Sequence, residues 1–223
     1  SLDDKVSVVA ILEAVEALLA AGVRPRRTVY LAFGHDEEVG GVCGAAAIAR
    51  LLQERGAEPY ALVLDEGGAV VEGIIPGVEG PVALVGIAEK GYVNVELLVE
   101  GAGGHSATPP EQTNIGILAE AITKLEANPF PASFVGAARS MFDWLAPEMP
   151  FTMRLPLANL WLTAPLVTRM LLASPQTAAM LRTTTAVTIV EGGVKANVLP
   201  IRARAVVNHR ILPGATQETV LAR

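Results

Sequence analysis

Apolar residues follow two rhythms along this chain. Between Val6 and Ala21 they recur at helical spacing, with Val8, Ile11, Leu12, Val15, Leu18 and Leu19 on one face. Gly22 closes the helix this predicts. Short runs at residues 28–33 and 60–64 are rich in β-branched and aromatic side chains and read as buried strands. A helical pattern from Val42 to about Arg55 lies between them, and residues 81–88 read as a further strand. The rhythm changes at residue 89. Tyr92 to Val99 alternates as a half-exposed antiparallel strand does. A helix over about 111–126, a helical stretch over about 128–182, strands at about 183–191 and 199–209, and a last helix after Pro213-Gly214 complete the pattern. The first part predicts an α/β unit with parallel strands, and the second most of a split βαβ sandwich. Two domains are therefore expected, 1–88 and 89–223, with a helical insertion in the second.

Composition narrows the possibilities. The chain has 223 residues, room for one large domain or two small ones. Hydrophobic residues make up 51% and charged ones 18%, which supports a core and argues against disorder. The net charge of -6, with no basic stripe, argues against nucleic acid as a partner. Leu155 to Ala173 is the most apolar stretch, but Pro156, Asn159, Pro165 and Arg169 interrupt it, so no membrane span is predicted. Cys43 is the only cysteine, too few for an intrachain disulfide or a cysteine zinc knuckle. It reads as a small buried residue. A metal site would have to draw on carboxylates and on His35, His105 and His209. Both ends read as the ends of a fragment and no signal-like region is present. The compartment stays open, with the cytoplasm as default.

Candidate chemistry gathers where predicted strands end. Asp36-Glu37-Glu38 follows the first apolar run and Asp65-Glu66 the second, while Asp3-Asp4 opens the first helix. Right-handed crossovers bring the carboxyl ends of parallel strands to one edge, the usual ligand edge of an open α/β sheet. Three acidic clusters meeting there would repel unless a cation neutralised them. Taken singly, each cluster reads equally well as a solvated turn or a helix-dipole partner. Gly101 to Gly104 lacks the spacing of a dinucleotide loop, so a nucleotide-binding domain ranks low.

Six motifs in order then carry a resemblance: Ser1-Leu2-Asp3-Asp4-Lys5, Asp36-Glu37-Glu38-Val39-Gly40-Gly41, Leu64-Asp65-Glu66-Gly67-Gly68, Gly104-His105-Ser106, Asn197-Val198-Leu199-Pro200 and Asn208-His209-Arg210. Together they resemble the co-catalytic dizinc exopeptidases, a family of aminoacylases, carboxypeptidase S, glutamate carboxypeptidase and succinyl-diaminopimelate desuccinylase. The carboxypeptidase S and N-fatty-acyl-amino-acid hydrolase branch is the most similar.

The resemblance implies a partial zinc-exopeptidase (phosphorylase/hydrolase-like) catalytic domain, then an α+β ferredoxin-like lid that dimerises. It implies two zinc ions, with cobalt or manganese as substitutes, and hydrolysis of an amide bond in an N-acyl amino acid or short peptide. By resemblance, Asp3 bridges the metals, with a cis peptide after it, and Glu38 and Glu66 are terminal ligands, Asp65 being second choice for the last. Glu37 is the general base. His105 reaches into a partner subunit's site to stabilise the oxyanion. Asn197 and Arg210 grip the substrate's carbonyl and carboxylate, the latter suited to a planar guanidinium. His209 has no role and faces away, and His35 is a candidate for supporting the ligands.

The family also carries metal-ligand histidines upstream and near its C-terminus that this sequence lacks. The chain as written is therefore expected to bind metal weakly and to turn nothing over. The other reading is a non-catalytic relative whose lid serves dimerisation or ligand binding.

Overall fold

The computed structural model describes residues 2–223, with side chains from Asp4 onward. The chain divides into two compact units, Ser1–Gly67 and Gly68–Arg223. Residue 89, where the sequence rhythm changes, lies inside the second.

The first unit holds helix α1 (Leu2–Ala20), a 3-10 turn at Glu37–Val39 and helix α2 (Ala45–Glu54). The strands expected at 28–33 and 60–64 are not formed, and every ladder among the described residues is antiparallel. The expected parallel sheet is thus corrected. A parallel strand needs neighbours distant in sequence, and an apolar run cannot supply them alone. Leu62, Val63 and Leu64 accordingly stay 74–87% exposed. Helical backbone also runs through Asp3 and Asp4, which requires a trans peptide between them. The only cis bond among the described residues precedes Pro59.

The second unit opens with an antiparallel hairpin, β1 (Ala69–Glu72) and β2 (Pro81–Leu84). Then come β3 (Gly91–Glu100), β4 (Gly104–His105) and α3 (Asn114–Ala127). Four helices follow: α4 (Gly136–Leu145), α5 (Phe151–Ala158), α6 (Leu160–Leu171) and α7 (Pro175–Leu181). Strands β5 (Thr184–Gly192), β6 (Val198–Leu199) and β7 (Arg202–Ile211) precede the short α8 (Gln217–Leu221).

The main sheet has the order β3-β7-β5, antiparallel throughout. Strand periodicity sorts its two faces. Ala203, Ala205, Val207, His209 and Ile211 of β7 turn inward and are buried. Val93, Val95, Leu97 and Val99 of β3 lie beside the first four of them in register. Helix α3 covers this face, with Leu118, 2% exposed, against Ala203 and Ala205. Two alanines at the contact let the helix lie close to the strand. The opposite face is polar. Asn208 donates to Asn94 at 2.7 Å, and Arg204 bridges Glu96 at 2.7 Å and Glu191 at 3.2 Å. These ion pairs are solvent-exposed and add little stability.

A second core joins parts remote in sequence. Val78, from the loop of the β1–β2 hairpin, packs with Leu145 of α4 and Met149, and Ile75, Val82, Phe142 and Leu157 close around them. The hairpin is thereby part of the core under the inserted helices.

Candidate active-site residues

The acidic turn of the first unit is built by Asp36. Its Oδ2 accepts from the Cys43 amide at 2.7 Å, and its carbonyl accepts from Gly41 at 2.8 Å and Val39 at 3.2 Å. Gly40 and Gly41 adopt φ of 100° and 65°, which a side chain would oppose. Gly44 sits so close that a Cβ there would run into Asp36 Oδ1, an oxygen that is buried with no hydrogen-bond donor. The turn leaves Glu37 and Glu38 exposed on its 3-10 segment. Cys43 is exposed rather than buried, because its place is on the outside of this turn. His35 is exposed as well.

One contact joins two of the acidic clusters: Asp4 shares a hydrogen bond with Glu66. The Ser7 hydroxyl and amide hold the Asp4 carboxyl below its ordinary value, and Glu66 adds to the effect. Asp65 turns back on its own chain, its Oδ1 accepting from the Glu66 amide at 2.9 Å. Sequence reasoning gave Asp4 only a helix-dipole role. The side chain of Asp3, the expected bridging ligand, lies outside the described residues. Among those described, no three His, Cys, Asp or Glu side chains are grouped so as to hold a metal. Carboxylates suit zinc as donors, but the described residues do not by themselves close a zinc site.

In the second unit the structure brings His105 and Asn197 together. Strand β4 pairs with β6, setting His105 opposite Val198, and the Ser106 amide donates to the Asn197 carbonyl at 3.1 Å. Asn114, at the start of α3, donates to the Pro200 carbonyl at 2.9 Å and fixes the link from β6 to β7. Gly103 allows the close approach, since a Cβ there would stand 2.7 Å from Ile201 Cγ2. His105 Nδ1 accepts from the Ala107 amide at 3.1 Å. A neutral ring accepting at Nδ1 carries its proton on Nε2. That Nε2 lies 3.5 Å from the Asn197 side-chain amide, and both residues are exposed. With the proton on Nε2, the Asn197 amide meets it through its oxygen, and the pair presents a polar edge to solvent.

Arg210 is elsewhere. It lies at the far end of β7, paired with Tyr92 and Thr184, and its guanidinium sits over the Tyr92 ring at 5.6 Å. Among the described residues no carboxylate forms an ion pair with it. Lys90 stands near; its Nζ donates to the Ala179 and Arg182 carbonyls at 2.8 Å each. Burial first, and the Arg210 charge second, push the Lys90 amine below its ordinary value. Two cations without a counter-carboxylate suit an anionic group. From Arg202, at the β6 end of the sheet, to Arg210 is roughly 26 Å at ordinary strand rise. Asn197, just before β6, lies beyond the Arg202 end of β7 and Arg210 at the other end, so the two residues expected as a pair are separated by the length of that strand. His209 faces inward, 4% exposed, with Nδ1 3.1 Å from the Thr185 hydroxyl and its ring edge-on to Phe130.

These elements place the chain in a known class. Residues 87–223 match the peptidase dimerisation domain of the M20 peptidases, and the chain belongs to that family. It is 47% identical over 222 residues to the N-fatty-acyl-amino acid synthase/hydrolase of Xenopus tropicalis, covering 99% of this chain and 43% of that protein. The human protein of the same name is 46% identical over 99% of this chain and 44% of its own length. Carboxypeptidase S of Saccharomyces cerevisiae is 38% identical over 95% of this chain and 38% of its own. The chain therefore spans less than half the length of these curated relatives. Peptidases of this family are generally metal-dependent.

Proposed function

We propose that the protein carrying this chain is a zinc-dependent hydrolase of an amide bond in an N-acyl amino acid or short peptide with a free carboxylate. Relatives named as N-fatty-acyl-amino acid hydrolases and as carboxypeptidase S support the reading. So does the His105–Asn197 edge, the single observation that carries it. With Nδ1 accepting from the Ala107 amide, Nε2–H is the ring's donor, shared with the Asn197 amide at rest and proposed to meet a developing oxyanion when substrate is bound. Asn197 beside it is suited to the substrate carbonyl. Arg210, with Lys90 close by and no acid paired with it among the described residues, is suited to the carboxylate.

Because the length of β7 separates these two groups, we assign them to a shared site in a homodimer. One subunit's His105 and Asn197 would serve the substrate held by its partner's Arg210. Asp3, Glu38 and Glu66 are the carboxylates proposed for the two metals, with the remaining ligands outside this chain. A bound zinc pair would supply a water acidified towards neutrality. Glu37, exposed on the acidic turn, is proposed to take that water's proton and return it to the leaving amine.

The test is Glu37→Gln in the whole protein. Turnover of N-acyl amino acids should fall by about 10²–10⁴-fold with metal content unchanged. Loss of metal in step with activity would exchange the roles of Glu37 and Glu38. A wild-type protein inert towards every N-acyl amino acid and dipeptide offered would favour the non-catalytic relative instead.

A further inference from the structure

The inserted helices expose one apolar face that nothing in the chemistry above uses. On α6, Leu160 and Val167 point into the core, 5% and 6% exposed. The opposite side of the same helix carries Trp161, Leu162, Leu166 and Met170, all 58–83% exposed. Leu162, Leu166 and Met170 follow one another at i, i+4 spacing along one stripe, and Trp161 lies on the neighbouring side of the same exposed half of the helix. On α5, joined to α6 through the single residue Asn159, Phe151 is exposed as well, at 64%, and on α4 Trp144 is 83% exposed. Trp144 and Trp161 are the only tryptophans in the chain. An outward stripe of this size is not the surface of an isolated soluble helix.

Charge says what covers it. The chain carries 23 acids and 17 bases, yet from Met149 to Val190 there is no Asp or Glu at all. The charged residues of α5 and α6 are Arg154 and Arg169, both exposed. Among the described residues neither has an acidic ion-pair partner. A helical pair with outward Trp, Leu and Met, carrying two exposed arginines and no acids, has the chemistry of an element lying in a lipid interface. The acidic remainder of the chain would be repelled by the same headgroups, which fixes the orientation. No described helix is long and apolar enough to cross a membrane, so the fit is to the surface.

We propose that α5 and α6, with Trp144, dock the protein on the surface of an anionic lipid bilayer. The apolar stripe enters the acyl boundary and Arg154 and Arg169 meet the headgroup phosphates. This reading does not depend on the amidohydrolase assignment.

Trp144 and Trp161 make the test direct, because the difference in emission between the wild type and Trp144→Phe/Trp161→Phe reports these two exposed indoles alone. The protein is mixed with vesicles of phosphatidylcholine alone or with one part in four phosphatidylglycerol, then followed by emission and co-sedimentation. On the anionic vesicles emission should shift to the blue and the protein should sediment. Exposed positions are chosen for substitution, and circular dichroism checks the fold. Trp161→Ser with Leu166→Ser should weaken binding about tenfold or more. Arg154→Glu or Arg169→Glu should weaken it about fivefold on anionic vesicles only. Unchanged emission with the protein left in the supernatant would overturn the proposal. So would equal binding to both vesicle types, or a blue shift that grows with protein concentration in the absence of lipid, which would assign the face to a second copy.

Discussion

His209 shows how one buried side chain couples this fold to pH. Burial depresses its pKa below the ordinary imidazole value of about 6.5, and a backbone hydrogen bond near Thr184 offsets this only in part. Folding therefore favours the neutral ring, while the unfolded chain takes up the proton more readily. The sign follows: the stability this residue contributes is whole above about 6.5 and is lost as pH falls through the lowered folded value. Arg223, stacked over Phe130 at 4.9 Å, adds a positive charge behind the aromatic ring that touches His209. Between about pH 7.5 and 5.5 the thermal midpoint of the wild type should fall by about 2–4 °C more than that of His209→Gln. Parallel declines would remove His209 as the source. The expectation that His209 faces away proves to mean the core, since it shares the inward parity of Ala205 and Val207.

At the scale of elements, the contact of α3 with β7 holds the main sheet. Leu118 is nearly fully buried against alanines that have no side chain to spread into a gap. Leu118→Ala should cost about 2–5 kcal/mol, read as a lower urea midpoint at unchanged slope. A cost under about 1 kcal/mol would mean that the site collapses around the loss. The same elements show what the sequence made legible. Strands β3 and β7 could be read because their alternation is local and one face is wet. The runs at 28–33 and 60–64 look as strand-like, yet their partners are a long-range matter that no local pattern encodes. The β1 strand was missed, being four residues between glycines. The core partners of the hairpin's Val78, Leu145 and Met149, lie roughly seventy residues on, beyond the reach of periodicity. Among candidate site residues, the pairing of His105 with Asn197 hangs on the two-residue strands β4 and β6, too short to read in advance. Asp36 looked like one more acid; the glycines at 40, 41 and 44 were the available sign that it folds the turn.

For the molecule as a whole, the question is how groups spread along the chain make one site. His105 and Asn197 lie at the β4–β6 pair beyond one end of β7 and Arg210 at its other end, and a single subunit cannot bend a ten-residue strand to join them. A dimer whose lids exchange these ends can, as two-fold symmetry makes two equivalent composite sites. Complementation between two inactive variants tests whether the site is shared between subunits. Whole protein carrying Glu37→Gln is co-expressed with whole protein carrying His105→Ala, and heterodimers are isolated through two different tags. Each parent homodimer lacks a group in both sites. In the heterodimer one site keeps Glu37 and receives its partner's intact His105, so about half the wild-type activity should return. Isolated heterodimers no more active than the parents would contradict the account, placing His105 in its own subunit's site or outside the chemistry altogether.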